Sequence, residues 1–262
     1  MDFARQPRRD DRPALVGMVH LLPLPGSPGW TGSMQDVLDA AQRDAERLAE
    51  GGCDALLVEN MADLPYLRSE VYPETAAAMA VATYTLSSLG LPLGVQVLAG
   101  ANRQALGVCV ASGASFLRAE AFAYGHVADE GWLQATAGPL LRARAALGSE
   151  VAVWADVQKK HAAHAVTADV PLADLARGFA FSGADALIIT GSETGASARP
   201  GDVNTARAAE LPVIVGSGIT ADNAADFADA DALIVGSWLK EAGDWRNPVS
   251  VERVRQLRRA IA

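Results

Sequence analysis

Eight short runs of apolar residues recur along the chain, separated by stretches that are polar or rich in alanine. Several runs, among them LIIT, VIVG and ALIVG, are almost continuously apolar, which is typical of strands buried on both faces of a parallel sheet. The pattern predicts strands at residues 14–20, 54–60, 92–98, 115–120, 151–157, 185–190, 212–217 and 232–236.

The stretches between these runs have the 3.6-residue periodicity of amphipathic helices. They predict helices that include residues 34–50, 73–89, 103–111, 131–147 and 251–261. Eight alternations of strand and helix favour the α/β class and a (β/α)8 TIM barrel in one domain, residues 14–262, after an N-terminal extension of residues 1–13. An open, doubly wound sheet is the alternative topology.

Three phrases repeat one local arrangement: GGCDALLVEN, SGADALIIT and ADADALIVG. Each places a small residue and then Asp-Ala before an apolar run. We interpret each as a helix end, a tight turn and the next strand of one unit.

Composition narrows the class of protein. Half of the residues are hydrophobic but only 6% are aromatic, so we expect a core of Ala, Val, Leu and Ile rather than rings. The formal net charge of −9 argues against binding to nucleic acid or to anionic membranes, both of which need clustered positive charge. Cys53 and Cys109 have no metal-ligand spacing, so we expect them to be buried small hydrophobes.

The N-terminal residues lack the apolar core of a secretory signal, and no apolar run approaches the roughly 20 residues of a membrane-spanning helix. We therefore expect a cytoplasmic protein without membrane insertion. Barrels of this kind commonly form homo-oligomers, and we expect one here.

In a TIM barrel, catalytic groups lie at the carboxyl ends of the strands. The polar residues that end the predicted strands are therefore the candidates for chemistry. As catalytic residues we predict Glu59, Asp156, Lys160 and His20. As substrate-binding residues we predict Asn60, Gln96, Arg118, Glu120, His161 and Thr190. Glu59, Glu120 and Asp156 could alternatively bind a divalent metal, since hard cations accept oxygen ligands.

The last two units predict a phosphate site. Strand 7 continues into VGSGIT and strand 8 into IVGSWLK, and in barrels these two loops often hold a phosphate with backbone N–H groups. The predicted phosphate-binding residues are Gly216, Ser217, Gly218, Ile219, Gly236 and Ser237. Two alternatives remain: the glycines serve only as tight turns, or the loops hold the phosphate of FMN.

Seven phrases resemble the BtpA family, which includes proteins of the SgcQ type. They are GMVHLLPLPGSP, VENMADLPY, DVQKKH, TGSETG, VGSGIT, IVGSWLK and NPVSVERV. The likeness extends from about Ala14 to the C-terminus and implies a TIM-barrel fold. One branch of the family is named for a role in photosystem I accumulation, and SgcQ-type members accompany sugar-uptake genes.

The resemblance also identifies positions shared with the family, namely His20, Glu59, Asn60, Asp63, Arg118, Asp156, Lys160 and His161. The chain departs from the family pattern at Gln96 and Glu120, where we expect Asn, and at residues 99–101, where Ala-Gly-Ala replaces a more polar stretch. These changes lie at the predicted mouth of the barrel and therefore bear on the substrate.

These observations predict an enzyme that acts on a small phosphorylated metabolite, either a sugar phosphate or a nucleotide-like compound. Strand-end carboxylates would supply acid–base chemistry of the isomerase, lyase or hydrolase type. The alternative is a non-catalytic, BtpA-like assembly or stability factor for a membrane complex such as photosystem I.

Overall fold

Eight parallel strands close into a barrel in the computed structural model, which describes residues 2–9, 11–159, 161–191 and 198–261. The strands of the described residues are β1 (Ala14–His20), β2 (Ala55–Glu59), β3 (Leu93–Gln96), β4 (Phe116–Ala119), β5 (Gly125–Ala128), β6 (Gly131–Gln134), β7 (Ala152–Asp156), β8 (Ala162–Ala163), β9 (Ala186–Ile189), β10 (Val213–Gly216) and β11 (Ala232–Val235). The barrel order is β1-β11-β10-β9-β7-β4-β3-β2, and each predicted strand contains one of these eight. The TIM-barrel prediction is confirmed.

Helices cover the outside of the barrel. They are α1 (Met34–Gly51), α2 (Pro73–Leu86), α3 (Asn102–Ser112), α4 (Ala137–Ala146), α5 (Leu172–Phe181), α6 (Pro200–Ala206) and α7 (Val251–Ala260). A short 3₁₀ helix, Ala224–Phe227, connects β10 to β11, and another, Ser237–Leu239, follows β11 before α7. Within the described ranges, no helix combines the length and the apolar character that crossing a bilayer requires.

Alternation along the strands decides which side chains enter the barrel, because successive residues of a strand point to opposite faces. In β1, Ala14, Val16 and Met18 pack inside the barrel, whereas Leu15 and Val19 pack against the helices. By the same alternation, His20 at the end of β1 faces inward. In β2, Leu57 faces the barrel interior, and so does Glu59 two residues later.

The barrel interior contains aromatic rings, contrary to the expectation of an aliphatic core. Phe116 and Trp154 stack with ring centroids 3.9 Å apart, and Phe3 contacts both rings. Gly94 makes room for this stack, because a Cβ at that position would lie 2.1 Å from the Phe116 ring. Few aromatic residues are present, yet three of them fill the lower interior of the barrel.

The N-terminal segment closes the bottom of the barrel. Phe3 and Ala4 belong to the interior cluster, and the Trp154 indole Nε1 donates a 2.7 Å hydrogen bond to the Ala4 carbonyl. The Arg8 guanidinium donates to the Ala230 carbonyl at 2.6 Å, immediately before β11. The predicted extension is therefore in close contact with the barrel core.

The three repeated Asp-Ala phrases share one function at the amino ends of the strands. Asp54, Asp185 and Asp231 each accept a 2.8 Å hydrogen bond from a backbone N–H of the neighbouring strand. Each carboxylate also pairs with an arginine, namely Arg12, Arg144 and Arg207 in turn. Burial raises the pKa of Asp54, but hydrogen bonds from Arg12 and the backbone outweigh it and lower that pKa overall.

A small antiparallel sheet, which the sequence pattern did not predict, lies outside the barrel order. It pairs β6 with β5 and β5 with β8, so it joins the loop after β4 to the loop after β7. The predicted helix 131–147 is wrong in its first part, because residues 131–134 form β6 and the helix begins at Ala137. Both cysteines are free and buried, as expected.

We expect Phe3→Ala to lower the free energy of unfolding by about 3 kcal/mol, because it removes a buried ring from the interior stack. Urea denaturation followed by circular dichroism measures the change. The matched control is Phe181→Ala on α5, where the ring is 95% exposed and the change should stay below about 0.5 kcal/mol. Equal effects of the two substitutions would show that the N-terminal segment does not stabilise the barrel.

Candidate functional site

A cavity of about 800 Å³ opens at the carboxyl ends of the barrel strands. Within the part of the chain that the structure describes, residues of seven barrel strands or of the loops after them line it. Most of the predicted site residues are among them: His20, Glu59, Gln96, Arg118, Glu120, Asp156, His161, Ser217, Gly218, Ile219, Gly236 and Ser237. The structure therefore brings the predicted acid–base groups and both predicted phosphate loops to one space.

Adjacent strands place three of the polar side chains at one level. His20 is in register with Glu59, and Glu59 is in register with Gln96. The His20 Nε2 lies 3.6 Å from the Glu59 Oε2, and both side chains are more than nine-tenths buried. A histidine beside a carboxylate at a cavity surface is a pair that can exchange a proton with a bound molecule.

Arg118 and Asp156 form a charged pair below the mouth. The Nε and Nη2 atoms of Arg118 donate to the two carboxylate oxygens of Asp156, each at 2.9 Å. Burial lowers the pKa of Arg118, but the charge of Asp156 outweighs this effect and raises it overall. Because Arg118 occupies both oxygens of Asp156, the carboxylate is held as an ion pair.

Glu120 forms a second charged cluster with Lys159 and Glu130. The Lys159 ammonium lies 3.3 Å from the Glu120 Oε2 and 2.9 Å from the Glu130 Oε2. The Gln96 amide donates to the Glu120 Oε1 at 3.3 Å. Burial raises the pKa of Glu120, and this effect exceeds the opposing influence of Lys159.

The additional sheet supplies part of this cluster. Glu130 lies in the turn between β5 and β6, and the His164 Nε2 is 2.9 Å from the Lys159 carbonyl oxygen. Burial lowers the pKa of Lys159, but its two glutamate partners raise it overall, so the ammonium form is favoured. Lys159 therefore provides positive charge at the mouth, and it is not a free amine.

The two glycine loops also line the cavity, and the loop after β11 lies next to His20, since β11 is adjacent to β1 in the barrel. Ser217 and Gly218 are both left-handed, with φ of 94° and 68°, and Asn223 braces the loop by donating to the Gly218 carbonyl at 2.9 Å. Gly236 permits His20 to approach, since a Cβ there would lie 3.0 Å from the His20 Cε1.

Several polar groups of these loops have no partner among the described residues. The Ser217 hydroxyl is buried without a hydrogen bond. No acceptor within residues 2–9, 11–159, 161–191 and 198–261 takes the backbone N–H groups of Gly218, Ile219, Gly236 or Ser237. Neighbouring N–H groups with unused donor capacity are the usual elements of an anion site.

Some predicted residues lie apart from the cavity lining. The Asn60 side chain accepts from the Leu98 N–H at 2.8 Å and donates to Asp63 at 3.0 Å, so it braces two loops. The Thr190 hydroxyl donates to the Gln158 carbonyl at 2.8 Å, and Gly216 lies below the mouth. Lys160 is outside the described residues.

The metal prediction finds no geometric support. In the part of the chain that the structure describes, no three His, Cys, Asp or Glu side chains are grouped closely enough to hold a metal ion. Glu120 and Asp156 instead have cationic neighbours in Lys159 and Arg118, and Glu59 lies beside the His20 imidazole.

The sequence interpretation missed several lining residues, namely Lys159, Glu130, Tyr66, Trp245 and Arg246. The tandem lysines of DVQKKH were a signal for Lys159, but the interpretation chose Lys160. Trp245 and Arg246 follow β11 by about ten residues, and only the course of that loop brings them to the mouth.

The fold defines the class of protein. The chain resembles phosphoribosyl anthranilate isomerase from Thermus thermophilus with a TM-score of 0.56 at 15% identity, covering 94% of this chain and 97% of that one. At this identity the likeness concerns the fold alone, and it agrees with a TIM barrel.

The sequence relatives identify the family. A model of the BtpA family matches residues 11–262. The chain is 41% identical to the Caenorhabditis elegans protein named uncharacterized protein F13E9.13, mitochondrial, over 93% of this chain and 91% of that one. It is 34% identical to the photosystem I biogenesis protein BtpA of Synechocystis sp., over 95% and 88% of the two chains. The chain belongs to the BtpA family.

We expect Glu120→Gln to change the pH dependence of stability. A carboxyl group with a raised pKa favours folding below its unfolded pKa, about 4.3, and this contribution is lost as the pH rises through the folded value. The variant lacks this loss. Its free energy of unfolding should therefore increase relative to that of the wild type between about pH 5 and pH 8. Urea titrations at both pH values measure the difference, and a constant difference would contradict the role of burial.

Proposed function

We propose that this protein is an enzyme that carries out acid–base chemistry on a small phosphorylated metabolite. The observation that carries the proposal is that one cavity is lined both by two loops of unused backbone donors and by buried acid–base pairs. A molecule with an anionic end and a reactive polar end could contact the glycine loops and the acid–base pairs at the same time.

In this proposal the phosphate binds between the loops after β10 and β11. Backbone N–H groups of Gly218, Ile219, Gly236 and Ser237 donate to its oxygens, with the Ser217 hydroxyl as a further donor. The absence of a side chain at Gly218 lets an anion approach the backbone closely. This assignment agrees with the phosphorylated substrate in the name of the Thermus thermophilus neighbour.

Glu59 and Glu120 are the proposed proton-transfer groups. Glu59 acts with His20, so that one member of the pair takes a proton from the substrate and the other member can return one. Glu120 is suited to the same task because burial raises its pKa above the ordinary value of a glutamate, which makes its carboxylate a stronger base. Lys159 remains charged beside it and stabilises negative charge that develops during the reaction.

Arg118 and Asp156 have a supporting role in this mechanism. Asp156 was predicted as a catalytic acid or base, but both of its oxygens accept hydrogen bonds from Arg118. We assign it to holding Arg118 in the cavity lining, where the guanidinium offsets the charges of Glu59 and Glu120. Isomerase, lyase and hydrolase reactions all use proton transfer of this kind.

A second candidate function is suggested by the Synechocystis relative, whose name describes photosystem I biogenesis. A factor that acts by binding a protein partner would need neither unused backbone donors nor buried proton-transfer pairs. The two proposals therefore differ in whether variants of the cavity lose function.

Phosphate binding is tested with Gly218→Asp and its uncharged counterpart Gly218→Asn. Both side chains tolerate the left-handed backbone better than most residues, so the two variants share any strain and differ in charge. In a thermal-shift assay with inorganic phosphate and ribose 5-phosphate, we expect the Asn variant to be stabilised less than the wild type, because its side chain narrows the approach to the backbone, and the Asp variant not to be stabilised at all. At about 100 times Kd the wild type should gain roughly 2.7 kcal/mol. Equal shifts in both variants would contradict the proposed site.

Proton transfer is tested with Glu59→Gln and Glu120→Gln, against a substrate found by screening phosphorylated metabolites for turnover. We expect each substitution to lower kcat by at least about 100-fold, because each removes a group that carries a proton. Glu46→Gln on the exposed side of α1 is the matched control and should leave kcat unchanged. Retention of full turnover in both cavity variants would refute the assignment.

A further inference from the structure

We infer that the phosphorylated molecule also carries a planar aromatic ring, as a nucleotide does, and that Trp245 binds this ring. The inference rests on the proposed phosphate site and extends it to the class of substrate. Neither a sugar phosphate nor inorganic phosphate contains such a ring, so the inference separates the two substrate classes that remained open.

The size of the cavity is the first observation. Its volume of about 800 Å³ lies in the upper part of the range of roughly 300–1,000 Å³ that holds drug-sized ligands. A phosphate at the glycine loops, with a short sugar beside it, would leave much of this space to water. A phosphate joined to a sugar and a ring would fill it.

The apolar wall of the cavity is the second observation. Met18 and Ile234 lie at its base, and Met61, Leu64 and Leu98 come from the loops after β2 and β3. Leu64 is 49% exposed at the mouth. A sugar hydroxyl would find no partner on these side chains, whereas an aromatic ring would remove their apolar surface from water.

Trp245 and His20 form a corner in the lining of the same cavity. Their ring centroids are 6.3 Å apart and the planes meet at 81°. A ring that lies parallel to Trp245 is therefore nearly perpendicular to His20 and presents its edge to the imidazole. A heteroaromatic base can stack with an offset on the indole and place a polar substituent near His20.

The loop that carries Trp245 is held in place from both sides. The buried Lys240 ammonium pairs with Asp44 of α1 at 2.5 Å, and the same carboxylate accepts from the Val249 N–H at 2.8 Å. The Arg246 guanidinium lies 4.6 Å from the centroid of the Trp245 ring. Because the indole is already placed, little conformational freedom is lost when a ring stacks on it.

The phosphate loop and the aromatic corner are close to each other. Gly236 approaches the His20 ring, and Trp245 approaches the same ring, so His20 lies between the two. A ligand whose phosphate is bound at Gly236 and Ser237 can therefore reach Trp245 with a group attached through a sugar. This order of phosphate, sugar and ring is that of a nucleoside monophosphate.

The experiment compares binding of AMP, UMP, ribose 5-phosphate and adenosine by isothermal titration calorimetry. The variants are Trp245→Ala, the conservative Trp245→Phe and Gly218→Asp, with Trp132→Ala as matched control. Trp132 lies on β6, 44% exposed and outside the cavity lining. Thermal unfolding of each variant confirms that it is folded.

We expect AMP and UMP to bind at least about tenfold more tightly than ribose 5-phosphate, the scale of one base stacked on an aromatic side chain. Trp245→Ala should remove this advantage and leave ribose 5-phosphate binding within about twofold, Trp245→Phe should keep most of it, and Trp132→Ala should change nothing. Gly218→Asp should weaken all three phosphorylated compounds.

Two results would overturn the inference in different ways. Equal affinities for the nucleotides and ribose 5-phosphate, or equal losses for all of them in Trp245→Ala, would exclude the ring site and leave the phosphate proposal standing. Failure of every phosphorylated compound to bind, or binding that Gly218→Asp does not affect, would reject the phosphate proposal and this inference with it. Adenosine that binds as tightly as AMP would have the same meaning, because the phosphate would then contribute nothing to binding.

Discussion

Closure of the barrel forces strand-end side chains into a narrow space, so carboxylates that meet there must have cationic neighbours or lose their charge. The structure meets this constraint with separate pairs around the mouth. Arg118 binds both oxygens of Asp156, Lys159 lies between Glu120 and Glu130, and His20 lies beside Glu59. The predicted phosphate-binding residues of the two glycine loops, 216–219 and 236–237, carry no acidic side chain, and Asp244 lines the cavity farther along the loop after β11.

Much of the architecture could be predicted because the signal for a barrel strand, a short apolar run, is local in the sequence. A strand buried on both faces must be apolar over its whole length, and every predicted run contains a strand of the barrel. The additional sheet could not be predicted in the same way. β5, β6 and β8 are short, they are only partly buried, and β5 pairs with β8 across more than thirty residues of chain. The leucines and alanines of 131–147 fit a helical period, so the pattern predicted one helix where a strand precedes it.

For the site, the cavity-lining residues that follow strand alternation could be predicted, and those that do not follow it could not. Glu59, Gln96, Arg118 and Asp156 follow the inward positions of their strands, and they line the cavity. Asn60 is one position out of phase with Glu59, and its side chain braces loops instead. Lys159 lies beyond the end of β7, where the alternation no longer applies. Its place depends on contacts with Glu120 and Glu130, which come from distant parts of the chain.

The small sheet links two loops that are usually regarded as independent parts of a TIM barrel. Residues 125–134 follow β4 and residues 162–163 follow β7, yet they share backbone hydrogen bonds, and Lys159 has its side chain bound to one loop and its carbonyl to His164. Replacement of either loop alone would break the sheet and remove a partner of Lys159. The two loops therefore depend on each other structurally. We expect them to change together as the family diverges, and a loop graft would have to exchange both.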